Sequence, residues 1–296
     1  MTSVSARPTV GRRPVHTLVS AVIRAAPRLR PRVEKLVWRL VYEAASLGGR
    51  DLAATMNYGH ADADASVHDP EGREDFGLRL YAAVAGAADL VGKDVLEVGC
   101  GRGGGASFVF QRFRPRSMTG IDLARTAIRR CRAQYARPGL EFMRGSAEDL
   151  PFSDAVFDAV ISVESTHCYP DVPAFFAEVH RVLRPGGVFM LADLRRTVIA
   201  PPSDPRAPQR DVHGLKDLHA QLAAAGFRMI EQEDITANVT RALALNTPRL
   251  RARIERRVPK PLQRHALEFA AIEGSAIYRD FSERRLTYMR FLLQRP

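Results

Sequence analysis

From Asp94 onward, short apolar runs alternate with segments whose apolar positions recur at helical spacing. The runs at 94–99, 117–121, 140–144, 157–163 and 187–193 read as buried strands, and 104–114, 124–136 and 172–184 read as the helices between them. This alternation predicts a doubly wound parallel α/β sheet, a fold that binds ligands at the carboxyl ends of its strands. Pro185-Gly186-Gly187 stops the third helix and leads into the fifth strand. A helix at 215–225, a sixth strand at 227–231 and a last strand at 286–293 complete the pattern.

Three segments flank or interrupt the alternation. A helix at 79–90 leads into the first strand, and helices at 15–26 and 33–46 precede it, separated by Pro27 and Pro31. The helix at 33–46 is amphipathic, with Leu36, Val37, Leu40 and Val41 on one side. It is read either as a cap packed on the domain or over its mouth, or as a membrane-surface contact. Residues 1–32 form a basic extension to a domain at 33–296, and 234–283 is too long for a simple connection. Within it, 249–257 and 262–278 have helical spacing, read either as a lid over an apolar acceptor pocket or as packing against the sheet.

The net charge of +11 is carried almost wholly by arginine, clustered at 7–39 and 249–260. Such clusters suit anionic lipid head groups, nucleic acid or acidic partners. Few aromatic residues stand among them, which argues against nucleic acid. Cys100, Cys131 and Cys168 form no Cys-x-x-Cys pair, so neither a disulfide framework nor a zinc site is expected. His60, Asp62, Asp64 and His68 match no metal-ligand spacing, and no metal is expected. The apolar run at 18–23 is too short for an export signal, and none approaches a membrane span, so a cytoplasmic enzyme is expected, with peripheral contact at the inner membrane surface.

The chemistry concentrates at Asp94-Val-Leu-Glu-Val-Gly-Cys-Gly-Arg-Gly-Gly-Gly-Ala106. Gly99, Gly101, Gly103, Gly104 and Gly105 form a turn between strand and helix that lets backbone approach a ligand. Glu97, two residues before Gly99, stands where dinucleotide-binding strands carry an apolar residue. A carboxylate there suits a ligand with an ammonium and a sulfonium rather than a pyrophosphate. Asp122, followed by Leu123, ends the next strand, where an acid can accept from both hydroxyls of a ribose.

These residues resemble the first motifs of the class I S-adenosylmethionine-dependent methyltransferases. The resemblance implies a seven-stranded, Rossmann-like methyltransferase sheet with a closing edge hairpin, and S-adenosylmethionine as methyl donor, leaving S-adenosylhomocysteine. It also implies that Ser146, Ala147 and Glu148 border the adenine. A closer likeness runs through Val37-Trp-Arg39, Met56-Asn-Tyr-Gly59, Glu164-Ser-Thr-His-Cys-Tyr-Pro170, Arg181-Val-Leu-Arg-Pro-Gly-Gly187 and Ala192-Asp-Leu-Arg195. Together they are similar to the phthiotriolone/phenolphthiotriolone dimycocerosates O-methyltransferases and related polyketide-tailoring enzymes, over about residues 33 to 296. By that likeness Tyr58 closes over the methionine part of the donor.

The fourth strand delivers Glu164 and His167 to the ligand end of the sheet. No Asn/Asp-Pro-Pro-Tyr/Phe sequence follows, so amino methylation of nucleic acid is not expected. An alcohol needs deprotonation before it attacks, and His167 is placed either to do this or to bond backbone beneath the site. Glu164 holds the donor or orients His167. The expected reaction is methylation of a hydroxyl on a small hydrophobic lipid or polyketide, with C- or N-methylation of a small molecule as the alternative.

Overall fold

A computed structural model describes residues 54–63, 75–197 and 214–296. The expected helices at 15–26 and 33–46, the whole of the basic extension, Asp64 and His68 lie outside the described residues. Seven strands form one sheet: β1 Asp94–Val98, β2 Ser117–Asp122, β3 Leu140–Arg144, β4 Phe157–Val163, β5 Leu183–Arg196, β6 Arg228–Asp234 and β7 Leu286–Gln294. Their order is β3-β2-β1-β4-β5-β7-β6; the first five run parallel, and β7 is antiparallel to both β5 and β6.

The helices are α1 Phe76–Ala85, α2 Gly104–Phe113, α3 Arg125–Tyr135, α4 Val172–Val182, α5 Leu215–Ala224, α6 Thr236–Arg257, α7 Lys260–Phe269 and α8 Ala276–Ser282. Alternate residues of each strand feed opposite faces of the sheet. Val95, Met190, Ala192 and Leu194 join Leu80, Val84 and Val109 on one face, where Val239 and Leu243 of α6 also pack. Leu96, Val160, Phe189 and Leu191 join Phe175, Phe176 and Val179 of α4 on the other. Each such side chain taken out of water contributes roughly 1.5–3 kcal/mol.

Several boundaries differ from the sequence reading. The helix before β1 starts at Phe76, because Asp75 caps it by accepting from the Gly77 and Leu78 amides. β5 extends past 187–193 on both sides, since Leu183 pairs with Phe157 and residues 194–196 pair with β7. The helical stretch at 249–257 is the end of a 22-residue helix. The stretch at 262–278 is two helices, broken where Ala271 and Gly274 take positive φ and Ser275 caps the second. Among the described residues no helix is long and apolar enough to cross a membrane.

Candidate active site

After β1 the chain turns through Gly99, Gly101 and Gly103 at φ +79°, +50° and +78°, a region that favours glycine. Space imposes the same choice. A Cβ on Gly99 would stand 2.5 Å from Ser165 Cβ, one on Gly101 2.8 Å from Met56 Cε, and one on Gly105 2.0 Å from the Tyr81 ring. The Gly99 and Cys100 amides bond to the Ile121 carbonyl at 2.9 and 3.0 Å, which ties the turn to β2. Above it opens a cleft of about 940 Å³, at the carboxyl ends of β1, β2 and β4.

Gly99, Gly101, Asp122, Leu123, Ser146, Ala147, Glu148 and Glu164 all line this cleft, as does Arg102. The Asp122 carboxylate takes the Gly101 amide on one oxygen at 2.9 Å and the Ala124 amide on the other at 2.8 Å. Glu148 accepts from Ser146 Oγ at 3.3 Å and from the Asp171 amide at 3.2 Å, so the loop after β3 is bound to the start of α4. Burial and the charges of Arg130 and Arg253 lower the Arg102 pKa to about 10, which leaves it cationic at neutral pH.

Glu97, expected to meet the ligand, is not among the residues that line the cleft. It shares a strand face with Val95, is fully buried, and accepts from the Tyr81 hydroxyl at 2.6 Å; Tyr81, not Glu97, lines the cleft. The Ala106 amide of α2 also bonds to the Glu97 carboxylate. Burial raises the Glu97 pKa to about 7, with the Asp122 charge acting in the same direction. Burial and the neighbouring Glu97 carboxylate likewise raise the Tyr81 pKa, so the phenol stays protonated and donates.

Glu164 follows β4 with φ +51°, an uncommon conformation for a residue with a side chain. Its Oε2 accepts from the Tyr58 amide at 2.9 Å and from the Tyr288 hydroxyl at 3.1 Å, which join the segment before α1 to β7. Tyr58 itself is outside the cleft lining; its ring meets Phe281 edge-on, with centroids 5.7 Å apart. Ala54, Thr55, Met56 and Asn57 line the cleft in its place.

His167 sits in a single 3₁₀ turn, Thr166–Cys168, behind the lining residues Ser165 and Cys168. Its side chain is 1% exposed. Nδ1 lies 2.8 Å from Asp193 Oδ1, and the His167 amide donates to Asp193 Oδ2 at 3.0 Å. Desolvation pushes the Asp193 pKa up, but the hydrogen bonds from His167 and the positive charge around it, Arg195 included, hold it down, at about 2. An ionised carboxylate only accepts, so Nδ1 carries a proton and donates it to Asp193.

Sequence reasoning does not single out Tyr81, Asp193 or Tyr288. Tyr81 is 16 residues from Glu97, Asp193 is 26 from His167 and Tyr288 is 124 from Glu164. The only signal is the acid in Ala192-Asp-Leu-Arg195 at the end of a strand. Cys131 Sγ donates to the Gly101 carbonyl at 3.4 Å, and both Cys100 and Cys131 are buried packing residues. His60 and Asp62 stand 3.8 Å apart, and no group of three or more His, Cys, Asp or Glu side chains able to hold a metal occurs among the described residues.

Residues 96–191 match the family model described as a methyltransferase domain. The phthiotriol/phenolphthiotriol dimycocerosates methyltransferase of Mycobacterium tuberculosis is 37% identical, over 86% of this chain and 90% of its own. The fatty-acid O-methyltransferase of Mycolicibacterium smegmatis is 35% identical, over 95% of this chain and 98% of its own. Among solved structures, geranyl diphosphate C-methyltransferase from Streptomyces coelicolor, in complex with S-adenosyl-L-homocysteine, superposes with a TM-score of 0.65 at 17% identity. That likeness covers 88% of this chain and 98% of the other.

Proposed function

The chain belongs to the S-adenosylmethionine-dependent methyltransferases, in the family of the phthiotriol/phenolphthiotriol dimycocerosates methyltransferases, and from that premise we propose that it methylates a hydroxyl on a long-chain, hydrophobic acceptor. The buried His167–Asp193 pair carries this reading. S-adenosylmethionine supplies a methyl group on a positively charged sulfur, so the acceptor needs little activation beyond loss of its proton.

The residues of the cleft fit that donor. The glycine turn exposes backbone where any Cβ would fill the space, and α2 begins there with Gly103, which has no side chain to cap it. In the proposal Asp122, fixed by two amides, accepts from the ribose hydroxyls, and Leu123 packs beside them. Ser146, Ala147 and Glu148 border the adenine. Glu97 acts one layer back, holding Tyr81 against the turn, and Glu164 closes the methionine end with Tyr58 bound to its carboxylate.

Transfer between sulfur and oxygen is in line, so the acceptor oxygen stands on the far side of the methyl from the sulfur. His167 is not part of the donor cleft lining, and in the proposal its Nε2 meets the acceptor oxygen on that far side. Asp193 holds the proton on Nδ1 and stabilises the imidazolium that forms when Nε2 takes the hydroxyl proton. The O–CH₃ bond forms as the S–CH₃ bond breaks, and the sulfur leaves neutral. The names of the two relatives, which refer to dimycocerosates and fatty acids, support a long apolar acceptor.

The test is transfer of isotope-labelled methyl from the donor to a long-chain secondary alcohol, read by mass spectrometry. A labelled methyl ether is expected. A label found on carbon or nitrogen of a natural acceptor, with no ether formed from any alcohol, would overturn the hydroxyl reading.

A further inference from the structure

Near its carboxyl end β5 carries Asp193-Leu194-Arg195, and Arg195 is the largest wholly buried side chain among the described residues, at 1% exposure. One of its nitrogens is engaged: Nη1 donates to the Leu194 carbonyl at 2.9 Å and stands 3.9 Å from Asp193 Oδ2. Nε and Nη2 are buried with no partner. These two nitrogens share one edge of the guanidinium, where their N–H bonds run parallel. That edge meets the two oxygens of a carboxylate in a bidentate pair.

The acids nearby cannot fill the role. Asp193 Oδ1 takes His167 Nδ1 at 2.8 Å and the Leu194 amide at 2.7 Å, and Oδ2 takes the His167 amide at 3.0 Å. Tyr288, on the adjacent strand, donates its hydroxyl to Glu164. A guanidinium does not shed its proton to escape burial. Charged donors buried without a partner are costly, and an apolar side chain of the same length would avoid that cost. Arg195 stands at the carboxyl end of its strand, where such sheets receive ligands, two residues from the acid that orients His167.

We propose that the Nε/Nη2 edge of Arg195 binds a carboxylate carried by the acceptor, close to the oxygen that receives the methyl. This rests on the reading that His167 meets the acceptor oxygen. The acceptor class is then a long-chain acid bearing a hydroxyl, held by its carboxylate at Arg195 and deprotonated at its hydroxyl by His167. Arg195 also sets specificity, since a neutral ester of the same chain offers no anion to the buried fork.

The experiment uses the full chain saturated with S-adenosylhomocysteine, with β-hydroxymyristic acid and its methyl ester as probes in calorimetric titration. The wild type is expected to bind the acid about 10- to 100-fold more tightly than the ester, the range of a charge-assisted bond. Arg195→Met should bind both with the affinity of the ester, and should unfold at a temperature no lower than the wild type. Arg195→Lys, which keeps the charge without the fork, should retain part of the preference and carries the test if the methionine variant does not fold. Equal binding of acid and ester by the wild type, or an undiminished preference in either variant, overturns the proposal. Labelled methyl transfer to the hydroxyl of the ester tests the reaction separately. If that transfer persists while no acid preference exists, only the Arg195 assignment falls. If the preference holds but no hydroxyl is methylated, only the hydroxyl reading falls.

Discussion

The Tyr81 hydroxyl meets Glu97 at 2.6 Å beneath the glycine turn, where the carboxyl group is fully buried. Burial raises the Glu97 pKa from 4.5 to about 7, so the folded chain keeps this proton longer than the unfolded chain. The stability it contributes is whole below the ordinary carboxylate value and is lost as pH rises through about 7. Glu97→Gln should flatten that fall, by an amount on the order of 3 kcal/mol across the window. Denaturant unfolding of both proteins at a series of pH values measures it, and parallel curves would show that Glu97 has no part in the fall.

Gly101 and Gly92 both take positive φ, yet only Gly101 has a neighbour, Met56, within reach of an added Cβ. Gly101→Val should abolish binding of S-adenosylmethionine while the fold survives. Gly92→Ala, facing open space, should cost about 1 kcal/mol of stability and leave donor affinity alone. Calorimetric titration with the donor separates the two, and retained binding in Gly101→Val would remove the turn from the donor site.

His167→Ala and Asp193→Asn should each lower turnover by about 10²- to 10⁴-fold with donor affinity nearly unchanged. Because the two residues act as one unit, the double variant should be little worse than either single one. Asp122→Ala should do the reverse and weaken donor binding first. Full turnover in His167→Ala would pass the base to Glu164, or leave the acceptor needing none.

The basic extension gives a prediction about location. Residues 7–40 carry nine Arg and Lys against Glu34 alone, with Leu18, Val22, Leu36 and Leu40 among them. Each basic residue near an anionic surface adds ~1 kcal/mol. A chain lacking residues 1–32 should sediment less with anionic vesicles at low salt and turn over a soluble acceptor as before. Equal sedimentation of both proteins would rule out anchoring by this segment.

Residues whose partners lie close in the chain were legible in the sequence. The strand, turn and helix around Gly99–Gly105, the acid Asp122 and the loop Ser146–Glu148 all sit in the cleft, because each is a local pattern at the end of a strand. The strand face of Glu97 was not legible, since only the packing of α1 shows that Tyr81 comes between it and the cleft. Nor was the pairing of His167 with Asp193, which depends on β4 and β5 being neighbours in the sheet. The break between α7 and α8 was hidden for a different reason. Apolar spacing continues across 266–277, while the positive φ of Ala271, an ordinary helix former, decides the turn.

The sheet order has a consequence for synthesis on the ribosome. β7 enters between β5 and β6, yet it is translated after both and after all the helices from 236 to 282. While those ~50 residues emerge, for several seconds at about 5–20 residues per second, β5 and β6 have no sheet partner to join them. The long exposed edge of β5, apolar from Val188 to Leu194 apart from Asp193, is then open to the edge strands of other nascent chains. Fast arrival of the β7 segment, or a chaperone holding that edge, therefore governs how much chain reaches the native sheet.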